Sequence, residues 1–131
     1  MELCLQSLAQ LLVEIMSHTE VNLCLQAYAN DQKPEKEIER SAVKSVLGSL
    51  SALAPGHSVE LRIPPYAAIQ LIEGPRHRRG TPGAVVETTP AILLRLASGE
   101  LTWQQAVASG KLIASGERSD LSHLFPLGLS L

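Results

Sequence analysis

Aromatic side chains are almost missing from this sequence. Tyr28, Tyr66, Trp103 and Phe125 are the full set, 3% of 131 residues. A chain of this length suits one domain, so its core must be built from Leu, Val, Ile and Ala. Charge is sparse too. With 18% charged residues and a formal net charge of −2, no strong field gathers nucleic acid, and no nucleic-acid partner is expected. Cysteine is limited to Cys4 and Cys24, which match no metal-ligand spacing and read as half-buried thiols in a reducing cytoplasm. No apolar run approaches the ~18 residues of a membrane span, and Glu14 interrupts the longest one. The start Met1-Glu2-Leu3-Cys4 lacks the basic opening of a signal peptide. The expectation is a cytoplasmic protein with no stable membrane insertion.

Two helices are expected in the first half. Cys4, Leu8, Leu11, Leu12 and Ile15 recur at helical spacing, widened by Leu5, Ala9 and Met16, which predicts an apolar face turned to the core. The pattern leaves open whether this helix stops near His18 or runs on through Val21, Leu25 and Tyr28. Asn30 to Lys33 form a polar break, and Pro34 suits the opening of a second helix. Its apolar face is Ile38, Ala42, Val43, Val46, Leu47, Leu50 and Ala54, and Pro55-Gly56 ends it.

The period then falls to two. Val59, Leu61 and Ile63 alternate with Glu60 and Arg62, a half-buried strand. Pro64-Pro65 breaks it, Tyr66 to Glu73 reads as a second strand, and Ala84 to Glu87 as a third. Thr89 can cap a helix opened by Pro90 and closed by Gly99. Thr102 and Gln105 have capping-box spacing for another, closed by Gly110. Lys111 to Ser115 reads as a fourth strand, and Asp120 caps a short helix from Leu121 to Phe125. The sum is an α+β domain, a mostly antiparallel sheet of four to five strands with helices packed on one face.

Catalytic patterns are missing. Ser119, Asp120, Ser122 and His123 contain the letters of a triad, but neighbours on one turn point in different directions, and no Gly-x-Ser-x-Gly elbow exists. The histidines at 18, 57, 77 and 123 have no zinc spacing. No enzyme and no cofactor or metal is expected. One loop carries a binding signal: Arg76, His77, Arg78 and Arg79 lie between Gly74-Pro75 and Gly80 with Pro82. Guanidinium groups beside free backbone amides suit a carboxylate or phosphate headgroup; the alternative is a solvated basic loop balanced by Glu73 and Glu87. Trp103 likewise has two open roles, wall of a cavity or plug of the core.

The C-terminal two-thirds resembles the sterol carrier protein 2 family. The residues that carry the resemblance are Leu96-Ala97-Ser98-Gly99, Leu101, Ala106, Ser109-Gly110-Lys111-Leu112 and Ser115-Gly116. More narrowly, the chain is similar to the small sterol-carrier-family proteins of actinobacteria. That similarity rests on Glu73-Gly74-Pro75-Arg76-His77, Arg79-Gly80-Thr81-Pro82, Val85-Val86-Glu87-Thr88, Thr102-Trp103, Ala106-Val107-Ala108, Arg118, Asp120-Leu121-Ser122 and Pro126-Leu127.

The resemblance covers about 59–127 and implies one domain over 1–131, with N-terminal helices to residue 56 and the sheet and short helices over 57–127. It implies an open sheet covered by helices, with an apolar cleft between them for an acyl chain, a sterol or another apolar small molecule. Ile69, Leu71, Leu93, Leu96, Trp103, Val107, Ile113, Leu121 and Phe125 are the candidate cleft lining. Arg76 to Arg79 would meet an acidic headgroup. One departure stands out: lipid carriers of this family line a tunnel with several aromatic and Met side chains, and this chain has few. A shallow cleft or filled core therefore stays open as an alternative. So does a scaffold role, in which the first helix and the apolar tail Leu127 to Leu131 serve a protein partner or a homodimer.

Overall fold

The computed structural model describes residues 2–74 and 83–127. The first helix, α1 (Glu2–Ala29), is continuous, so the apolar positions Val21, Leu25 and Tyr28 extend it past His18. Residues 30–35 turn the chain, and α2 (Lys36–Leu53) follows with Glu35 at its N-cap. Pro34 therefore lies one position before the cap rather than in the first turn. The face expected for α2 is the face it buries: Ala42, Val43, Val46, Leu47 and Leu50 are in the core.

For α1 the expected face is corrected at Leu8, Leu11 and Leu12, while the side chains of Cys4, Leu5, Ile15 and Met16 lie outside those described. Its described core residues are Val21, Cys24 and Leu25, whereas Leu8, Leu11 and Leu12 are 58%, 50% and 61% exposed. At 3.6 residues per turn Leu8 and Leu12 turn away from Val21 and Cys24, and length adds to this. At 1.5 Å per residue the 28 residues of α1 span about 42 Å and the 18 of α2 only about 27 Å. The helices run antiparallel through a short turn, with Tyr28 bonded to Glu39 and Ser41 to Glu20. Leu8, Leu11 and Leu12 thus stand beyond the reach of α2.

The sheet contains β1 (Val59–Ile63), β2 (Ala67–Leu71), β3 (Ala84–Glu87) and β4 (Ile113–Gly116), in the order β2-β1-β3-β4. β1 pairs antiparallel with β2 and parallel with β3, and β3 pairs antiparallel with β4. Antiparallel pairing dominates, as expected, within a mixed sheet. Val59, Leu61, Ile63, Ala84, Val86 and Leu71 are buried on one face, while Arg62, Ala68 and Glu87 on the other are exposed, the alternation of a sheet covered on one side. At the α2–β1 junction a Cβ on Gly56 would fall 2.1 Å from the Ile72 carbonyl carbon. Only glycine lets these two segments pass.

Two short helices complete the layer. In α3 (Pro90–Ser98) the Ile92 N–H donates to Thr89 Oγ1 at 3.2 Å, and Gly99 ends the helix at φ 87°. In α4 (Trp103–Ala108) the box is complete: Gln105 N–H donates to Thr102 Oγ1 (3.1 Å) and Thr102 N–H to Gln105 Oε1 (2.9 Å). The last turn is a 3-10 helix, Ser122–Leu124, which Asp120 opens by accepting the Ser122 N–H at 2.9 Å. The chain then returns across α3, where the Leu127 N–H donates to the Ala97 carbonyl at 3.0 Å.

Candidate functional site

The capping box fixes where Trp103 points. With Thr102 as N-cap, Trp103 is the first helical residue of α4, and its ring turns inward beside Ala106. From the other side, the bond between Leu127 and Ala97 ties the segment after the 3-10 turn to α3 and brings in Phe125. The two rings stack with centroids 6.3 Å apart and planes 18° from parallel, within the range of offset aromatic pairs. Together they wall a cavity of about 340 Å³. Gly99, Leu101 and Pro126 complete its apolar side, and Thr102, Gln104, Ser122 and His123 its polar edge. Pro126 lies beside Gly99 there, at van der Waals distance from where a Cβ would stand.

Of the nine residues expected to line a cleft, the structure brings Trp103 and Phe125 to this cavity. Leu71, Leu93, Leu96 and Leu121 belong to the close-packed core at 0–1% exposure, and Ile69 packs half-buried against it. Val107 is 45% and Ile113 63% exposed. Ile113 faces solvent because it pairs with the outward Glu87. Successive side chains point to opposite sides of an extended chain, and the inward place goes to Leu112, 3% exposed. Ile113 instead edges a second cavity of about 160 Å³ with Pro64, Glu87, Thr88, Thr89 and Lys111. Arg76, His77, Arg78 and Arg79 lie outside the described residues, as does the tail after Leu127.

Asp120 acts as a turn cap. The Ser122 N–H holds its carboxyl below the usual range, consistent with the structural reading of the triad letters. Among the described residues no group of three or more His, Cys, Asp and Glu side chains converges as a metal site. No helix there is long and apolar enough to cross a membrane.

Sequence reasoning missed a polar cluster between α1 and α2. Tyr28 and Tyr66 both donate to Glu39, Tyr66 at 2.7 Å. Arg40 lies 5.8 Å above the Tyr66 ring. Burial, then the bond to Glu39, raises the Tyr28 hydroxyl's pKa and pushes that of Tyr66 up to about 12. The free Cys24 is pushed up to about 11, by burial first and then by Glu39 and Glu20. A thiol held neutral in this way is inert rather than nucleophilic.

The family described as bacterial SCP ortholog matches residues 35–127, well over half of the chain. The chain belongs to that family. The match begins ahead of α2, so it takes in a helix that the sequence resemblance, starting near Val59, did not cover. Among solved structures, the chain is similar to the crystal structure of sterol carrier protein 2 like 2 from Aedes aegypti. The identity is 14%, the TM-score 0.40, and the match covers 61% of this chain and 90% of that one. Curated proteins give no match.

Proposed function

We propose that this protein is a non-catalytic carrier that binds a lipid-like or other apolar small molecule beside Trp103. The observation that carries the reading is the Trp103–Phe125 stack walling a cavity of about 340 Å³ with a polar edge. An apolar pocket with a few convergent polar groups is the usual form of a small-molecule site. Membership of the bacterial SCP ortholog family supports the same reading. Cys24, free and buried, suits a reducing compartment, and the proposal is of a cytoplasmic carrier. Native mass spectrometry of gently purified protein, followed by organic extraction, tests it. A stoichiometric apolar adduct that disappears in Trp103→Ala supports the carrier; an adduct-free mass, together with no uptake of added fatty acid, rejects it.

A second reading has its own observation. Leu8, Leu12 and Leu23 stand 58%, 61% and 45% exposed on the side of α1 away from Val21 and Cys24, and Leu11, 50% exposed, lies past the reach of α2. Such a stripe suits a protein partner or a second copy of the chain. α1 contains no Lys or Arg, unlike helices that settle on anionic membranes. Sedimentation velocity should show self-association that Leu8→Lys with Leu12→Lys abolishes. A monomer at every concentration removes the homodimer form of this reading.

A further inference from the structure

We infer that the Trp103–Phe125 cavity takes a small, flat apolar molecule with one hydrogen-bonding end, rather than a long acyl chain or a sterol. The inference rests on the carrier reading and narrows it. Size is the first ground. The cavity measures about 340 Å³, near the bottom of the roughly 300–1,000 Å³ range of ligand pockets. A volume at the bottom of that range suits a molecule of one or two rings better than a fused sterol skeleton or a full acyl tail. Deepening the site into the protein would have to displace core side chains, Leu93, Leu96 and Leu121 among those at 0–1% exposure, and close-packed interiors resist that. The segment that carries Phe125 and Pro126 is also held, by the bond from the Leu127 N–H to the Ala97 carbonyl.

Shape and polarity supply the rest. The two ring planes, within 18° of parallel, present flat faces of one orientation. A flat guest stacks on them with an orientation-dependent gain that a flexible chain does not make. Gln104 and His123 edge the same cavity and make no side-chain hydrogen bond among the described residues, so they are free to take the polar end. A few fixed polar groups at one edge orient a ligand whose body is apolar.

Trp103 is the sole tryptophan, so its indole N–H gives one identifiable resonance in a proton–nitrogen NMR spectrum. The full chain is titrated separately with naphthol, naphthalene, octanoate, monomeric palmitate and cholesterol. Naphthol should move the resonance saturably and bind about tenfold more tightly than octanoate, the gain of one good aromatic contact. Naphthalene should bind about fivefold more weakly than naphthol, the worth of one hydrogen bond. Gln104→Ala with His123→Ala should remove that difference, at unchanged melting temperature since both side chains are exposed. Octanoate binding as tightly as naphthol overturns the flat guest. Palmitate or cholesterol moving the resonance while naphthol does not overturns the size assignment and leaves the carrier reading intact. A resonance that none of the five moves overturns both.

Discussion

Glu39 accepts hydrogen bonds from two tyrosines that reach it from different parts of the chain, Tyr28 at the end of α1 and Tyr66 in the turn between β1 and β2. The carboxylate ties three elements at one point. Removing it strands two half-buried hydroxyls, and hydrogen bonds to charged groups are worth about 1.5–3 kcal/mol. Glu39→Ala should therefore cost about 2 kcal/mol in urea unfolding and Glu39→Gln, which keeps an acceptor, about half of that. The same cluster sets an alkaline limit. Cys24 and Tyr66 have pKa values raised in the folded state, to about 11 and about 12. Their neutral forms are thus favoured by folding. That contribution is whole below pH 9, the ordinary thiol value, and is lost as pH climbs toward 11. Stability measured across this window should fall, and Cys24→Ala should flatten the fall even if it starts lower. None of this was legible in the sequence, because Tyr28 and Tyr66 stand 11 and 27 residues from Glu39 and follow no local pattern.

At the scale of elements the sequence was far more readable, and the reason is local chemistry. Thr89, Pro90 and Gly99 bound α3, and Thr102 with Gln105 closes the box of α4, because caps act over three or four residues and need no tertiary partner. β1 was read correctly from its alternation alone, Val59, Leu61 and Ile63 against Glu60 and Arg62. The failures occurred where an element's surroundings decide. The stripe of α1 looks the same whether or not α2 is long enough to cover it, and the face of Ile113 depends on where β4 joins β3. Because Trp103 is the first residue of α4, its placement inherits the cap. Thr102→Ala should cost about 1 kcal/mol and also weaken naphthol binding, whereas Thr102→Ser should restore both. Calorimetric titration read beside thermal unfolding checks the pair, and a Thr102→Ala variant that loses stability but keeps full affinity would detach the cap from the site.

For the molecule as a whole, the two functional readings differ in what they do to the folding equilibrium. A guest that binds only the native state adds RT ln(1 + [L]/Kd), about 2.7 kcal/mol at a hundredfold excess over Kd. For a chain near this length that raises the melting temperature by roughly 5–10 °C, independent of protein concentration. A second copy held by the exposed leucines of α1 acts through the concentration of the protein itself, so the melting temperature would climb as the protein is concentrated with no guest present. The two effects are separable because they arise on different elements of the fold. Leu8 and Leu12 stand on the overhang of α1, and Trp103 and Phe125 meet where α4 and the returning chain close on α3. Melting curves over a wide range of protein concentration, with and without naphthol, should show the naphthol shift in wild type and in Leu8→Lys with Leu12→Lys alike. A shift that vanishes in the leucine variant would mean that the cavity is completed by a second chain, and the carrier would then be a dimer by construction.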